Sequence, residues 1–247
     1  MTDKERIANH EASAVSSCSS RDPTRRSIYF IRHGESIKNV DGTIGGAGTP
    51  LTQQGVADMV RVAAWLREKA LIDCNRCSFL MSSSIQVQES CAVIELELGV
   101  AFRVDSRLRH IGLGVLDGLT QKEAQDQYPK MWDALRLWSQ GTANIGHVRI
   151  PGQEDVSDFY ARIYAFWEDV LLRTEHDTVV VGTRSVGIAI ANIAELGSRV
   201  FESDKYLRYA LDPASISRFQ VSPGASSVVY TNDTSFLAHR PALPDLR

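Results

Sequence analysis

The chain has 247 residues, 43% hydrophobic and 23% charged, with a formal net charge of -3. That length suits one large domain or two small ones, and the composition is ordinary for a soluble globular protein. The near-neutral balance gives no footing for a nucleic-acid or acidic-membrane partner, and no run approaches the roughly 18 apolar residues that span a bilayer.

Residues 1–26 are polar, with Ser16, Ser17, Ser19 and Ser20 around Cys18. They lack the apolar stretch of a secretory signal, and the acidic Asp3, Glu5 and Glu11 do not suit an organelle-targeting peptide. The reading is a disordered tail over 1–26 on a cytoplasmic protein, followed by one domain over 27–240. Ser27–Arg32 reads as a strand. Thr49-Pro50-Leu51-Thr52 opens a helix whose Val56, Met59, Val60, Ala63, Leu66 and Ala70 share a face. A lone C-x-x-C at Cys74 and Cys77 has no second pair and no histidine at ligand spacing. It reads as reduced bystander thiols, so no metal and no cofactor is expected.

Phe79–Ser82 reads as a short strand, Ile85–Leu98 as a helix, and Ala101–Val104 as another strand. Gln121–Trp138 is helical with a break near Pro129, and Val156–Leu172 is an amphipathic helix. The β-branched run Thr178–Val181 suits a strand buried on both faces. A helix over Val186–Leu196 follows, then paired strands at Ile216–Val221 and Ser227–Thr231 around Ser222-Pro223-Gly224. Strands alternating with helices predict a three-layer α/β/α sandwich with a mostly parallel central sheet. In such sheets ligands sit beyond the carboxyl ends of the strands.

Arg32-His33-Gly34 lies at such an end. Arg32 offers a fork of donors for phosphate oxygens. His33 can attack phosphorus as a neutral imidazole. Gly34 removes a side chain where backbone and phosphate would approach closely.

Arg32-His33-Gly34-Glu35-Ser36, with Asn39 after it, resembles the opening motif of the histidine phosphatase superfamily, phosphoglycerate-mutase-like branch. Four further segments resemble that family in the same order. They are Thr49–Gly55, Gly114–Thr120 with Glu123, Pro151-Gly152-Gln153-Glu154, and Asn232-Asp233-Thr234-Ser235. The resemblance implies the fold read above and a metal-free phosphoryl transfer through a phosphohistidine at His33. In the family two arginines and a second histidine bind the phosphate, and a carboxylate protonates the leaving group.

This chain departs from that pattern at three central positions. Val87 stands at the second arginine, His110 at the acid, and Thr183 at the second histidine, with Arg184 after it. Arg32, His33 and Asn39 remain. Arg184 could replace the missing cation or could be a surface residue that starts a helix. Thr183 keeps a donor but no charge. His110 could protonate a leaving group as an imidazolium, or be a structural residue. Asp117, Glu123 and Glu154 are alternative acids, or caps and solvated groups.

One reading is a divergent phosphomonoesterase acting on a small phosphorylated metabolite. Another is an inactive pseudophosphatase that binds a phosphorylated ligand or partner. The third is an enzyme running non-hydrolytic chemistry on a small anionic metabolite. A mutase is disfavoured by the short route from Gly118 to Pro151. That route holds Trp132 and Trp138, either as pocket caps or as core packing. A homodimer is compatible with all of these.

Overall fold

The structure, a computed structural model, describes residues 26–68, 73–140, 149–173, 176–202, 209–222 and 225–238. The tail over 1–25 lies outside the described residues, as do Ala70, Pro223, Gly224 and the side chain of Trp138.

Six strands form one sheet: β1 (Arg26–Arg32), β2 (Cys77–Met81), β3 (Arg103–Val104), β4 (Asp177–Gly182), β5 (Ile216–Ser222) and β6 (Ala225–Asp233). Their order across the sheet is β3-β2-β4-β1-β5-β6. The pairs β1–β4, β2–β4 and β2–β3 are parallel, while β5 runs antiparallel to both β1 and β6. The expected mostly parallel α/β architecture is therefore present.

The helices are α1 (Ile37–Asp41), α2 (Gln53–Glu68), α3 (Ile85–Leu98), α4 (Gln121–Gln127), α5 (Pro129–Gln140), α6 (Val156–Arg173) and α7 (Arg184–Leu196). The break near Pro129 separates α4 from α5. Pro129 takes the first position of α5, where a missing N–H costs no helical bond.

Side chains alternate across the central strands and sort the core into two layers. Ile28, Phe30, Leu80 and Val180 face the layer that holds Phe159, Ile163 and Phe166 of α6 and Val186 and Ile190 of α7. Tyr29, Ile31, Phe79, Val179 and Val181 face the layer of Met59, Val62 and Leu66 of α2 and Val87, Cys91 and Ile94 of α3. A strand buried on both faces has no polar alternation, which is why these strands read as continuous apolar runs.

The stripe of α2 is rotated from its sequence reading. Gly55, Met59, Val62, Ala63 and Leu66 are buried, while Val56 and Val60 are exposed. Among the described residues no helix is long and apolar enough to cross a membrane.

Candidate active site

Three adjacent parallel strands end side by side. Arg32 of β1 is level with Gly182 of β4, and Met81 of β2 with Val181 of β4. The next residues, His33, Thr183 and Ser82, therefore share one edge of the sheet. The His33 amide donates to the Gly182 carbonyl at 3.1 Å, and the Ser82 amide to that of Val181 at 3.1 Å.

The segment 211–215 closes the edge from the β5 side. The Arg32 guanidinium donates through Nη1 to the Leu211 carbonyl at 2.5 Å. The Arg32 amide donates to the Ser215 carbonyl, and the Ala214 amide to the His33 carbonyl. Ala214 is buried at φ 59, a left-handed conformation unfavourable for a residue with a Cβ. Asn232 fixes the segment by accepting from the Asp212 amide and donating to the Asp212 carboxylate.

His33 is 2% exposed, and its Nδ1 lies 2.7 Å from the Gly34 carbonyl. A carbonyl only accepts, so Nδ1 carries the proton and Nε2 keeps the lone pair. Burial, helped by the charges of Arg32 and Lys38, pushes the imidazole pKa down to about 3 against the pull of the Gly34 bond. The ring is thus neutral near pH 7. Burial and the nearby Arg184 charge lower Arg32 to about 10, with Asp212 opposing. The Nε of Arg32 is buried with no protein partner.

Gly34 is required by the packing of a helix. A Cβ there would stand 2.7 Å from the Gly55 carbonyl oxygen of α2, so the missing side chain makes room for a helix. A Cβ on Gly55 would in turn meet the Glu35 carbonyl at 2.0 Å. This mutual approach holds the His33 turn against α2.

Lys38, unremarked in the sequence, joins the site. Its Nζ donates to the Gly45 carbonyl at 3.1 Å. Burial and then the Arg32 charge lower its pKa, with Asp117 opposing. The glycine loop 45–48 continues from that contact to Asp117. One Asp117 oxygen accepts from the Gly46 amide and the other from the Leu113 amide, each at 2.9 Å. His110 Nε2 lies 3.7 Å from Asp117 Oδ1. The sequence held no local signal for this chain of contacts, because it joins residues from 38 to 117.

A model of the histidine phosphatase superfamily (branch 1) matches residues 28–234. The chain belongs to the histidine phosphatase superfamily. It is 25% identical over 223 residues to bovine 6-phosphofructo-2-kinase/fructose-2,6-bisphosphatase 3, a match that covers 90% of this chain and 44% of the relative. It is 33% identical over 158 residues to mouse 6-phosphofructo-2-kinase/fructose-2,6-bisphosphatase 1, covering 64% of this chain and 30% of the relative. The chain thus spans less than half the length of these curated relatives. The solved mycobacterial glucosyl-3-phosphoglycerate phosphatase matches with a TM-score of 0.68 at 21% identity, covering 85% of this chain and 100% of that one. The names of these relatives include fructose-2,6-bisphosphatase and glucosyl-3-phosphoglycerate phosphatase.

The remaining candidate residues of this superfamily member fall in distinct places. Val87 is fully buried in the apolar layer of α3. Thr183 is buried before the first turn of α7, with its hydroxyl 3.2 Å from that of Ser185. Arg184 starts α7 and is exposed, yet its charge reaches Arg32. The Asn39 Oδ1 accepts from the Ser36 amide and hydroxyl, so its carboxamide oxygen serves the start of α1.

Glu154 is ill suited to act as an acid. Arg162 and Arg109 donate to its carboxylate at 2.8 and 2.7 Å, and the Gly112 amide also donates. Burial alone would raise its pKa, but these donors hold it below the usual range, so the carboxylate is ionised. Asp117 is held low in the same way: burial opposes, and His110 with the Gly46 and Leu113 amides outweighs it. Glu123 closes a capping box with Thr120 on the exposed side of α4. Trp132 packs against the apolar layer as a partly buried residue. Burial, then the Asp177 charge, pushes the Cys77 thiol up to about 12, away from the reactive thiolate.

Proposed function

We propose that this protein is a phosphomonoesterase that works through a phosphohistidine at His33. The observation that supports it most is the state of that ring: buried, neutral, with its proton fixed on Nδ1 and its lone pair on Nε2, beside Arg32 and Lys38. Nε2 forms a bond to phosphorus as the ester P–O bond breaks. We assign the proton for the leaving oxygen to His110, beside Asp117, because the candidate carboxylates Asp117 and Glu154 are held ionised. Water then attacks phosphorus, the N–P bond breaks, and the water proton returns to His110. Orthophosphate leaves and the His33 lone pair is restored.

Lys38 and Arg184 bring positive charge to a pocket whose second arginine is replaced by Val87. Phosphoryl transfer depends mainly on positioning and charge neutralisation, so cations reaching the site from other elements can sustain it. The named relatives act on fructose 2,6-bisphosphate and glucosyl-3-phosphoglycerate, which favours a phosphorylated sugar or sugar acid as substrate.

A second reading, binding of a phosphorylated ligand without turnover, is favoured by the uncharged Thr183 and the sealed Val87. Phosphate release and acid-labile phosphoryl-enzyme, measured on a panel of sugar phosphates with wild type, His33→Ala and Lys38→Met, separates the two. The enzyme reading expects His33→Ala to abolish both signals. It expects Lys38→Met to lower kcat/KM on the order of a hundredfold. An unchanged rate in His33→Ala refutes the phosphohistidine. Ligand binding with neither signal supports the second reading.

A further inference from the structure

The segment from the end of β2 into the first turn of α3 carries polar side chains with no protein partner. Gln86 is fully buried, and neither its amide nitrogen nor its amide oxygen has a hydrogen bond. The hydroxyls of Ser82 and Ser84, 0% and 8% exposed, are also unpartnered. A buried carboxamide without partners costs on the order of 1–3 kcal/mol, so a retained one calls for a reason.

Their position supplies the reason. Ser82 leaves β2 at the sheet edge where His33 and Thr183 leave β1 and β4. The Gln86 carbonyl accepts from the Ser90 hydroxyl, which accepts from the Gly34 amide, so this face of α3 lies on the His33 turn. The Gln86 carboxamide abuts Gly48, where a Cβ would stand 1.9 Å from its Oε1. Gly48 ends the same loop that receives Lys38 at Gly45 and Asp117 at Gly46. The amino end of α3, a helix of 14 residues, adds its positive dipole to the same wall.

We infer that Gln86, with the Ser82 and Ser84 hydroxyls and the amino end of α3, binds the oxygens of the transferred phosphoryl group through neutral donors, in place of the arginine absent at Val87. The inference rests on the phosphatase reading and goes further by assigning these residues to the pocket. An amide N–H and two hydroxyls supply direction without charge, so the site favours a correctly placed tetrahedral oxyanion over any anion.

Orthovanadate is the probe, titrated calorimetrically into wild type, Gln86→Leu and Gln86→Glu, with thermal unfolding of each protein alone. Gln86→Leu removes two unpaired atoms and leaves an apolar side chain of similar size, so it is expected to unfold at or above the wild-type temperature. Its vanadate affinity is expected to fall at least tenfold. Gln86→Glu keeps the shape but sets a carboxylate against the oxyanion, and is expected to abolish binding near neutral pH.

Affinity within twofold of wild type in either variant overturns the inference alone and leaves the phosphatase reading standing. Wild type that neither binds vanadate nor forms an acid-labile phosphoryl-enzyme overturns the phosphatase reading, and this inference with it.

Discussion

Replacing His33 with glutamine removes one titrating ring and should change how stability depends on acid. In the native protein the imidazole refuses a proton until about pH 3, whereas an unfolded chain accepts it near pH 6.5. Between those values the unfolded state binds more protons, so stability falls as pH falls, and above about 6.5 His33 contributes no pH dependence. At about 1.4 kcal/mol per pH unit, the full gap is worth about 5 kcal/mol at most, and the part reached by about pH 4.5 is worth about 3 kcal/mol.

Urea unfolding of wild type and His33→Gln near neutral pH and at about pH 4.5 isolates this contribution, because all other titrating groups are shared. The variant is expected to lose about 3 kcal/mol less than wild type on acidification. Equal losses would refute the reasoning, as would a His33 ring resonance in the folded protein that titrates near 6.5. For the proposed role the sign is favourable: His33 stays neutral down to about pH 3.

Two further outcomes test the scaffold around the ring. Gly34→Ala should lower stability by about 1–3 kcal/mol, because the obstructing atom is a helix carbonyl of Gly55 that cannot rotate away. A thermal unfolding temperature equal to wild type would show that the His33 turn and α2 are not in close register. Glu154→Gln should cost about 2 kcal/mol by leaving Arg162 and Arg109 without their ionised partner. The shape of its pH–rate profile should not change, and loss of one limb of that profile would instead make Glu154 the acid.

The element order was legible because each element satisfies a local rule. Strands buried on both faces appear as apolar runs, and α3 begins and ends at the sequence-predicted residues because Gly99 takes the left-handed conformation that stops it. The α2 stripe was misread by a fraction of a turn, since Val56 and Val60 are apolar but face water while Gly55 faces the Glu35 backbone.

The Arg32-His33 pair was legible as a motif on one strand. Of its electrostatic partners only Arg184 was a candidate in the sequence; Lys38 and Asp212 were not. Lys38 acts on the His33 ring from α1, while Arg184 of α7 and Asp212 on the other side of β1 act on the Arg32 guanidinium. Glu154 and Asp117 looked like spare acids in sequence, and only their bound arginine and amide donors show that both stay ionised.

By itself, then, the sequence determined the fold and the family and singled out His33 as the candidate nucleophile, because these follow from periodicity and from short ordered motifs. The tertiary structure decided what surrounds His33. Charge, burial and hydrogen bonding act through space, and they bring Lys38, Gln86 and Asp117 to one sheet edge from segments far apart in the chain. The same through-space packing shows that Gly34 is needed for the close approach of α2.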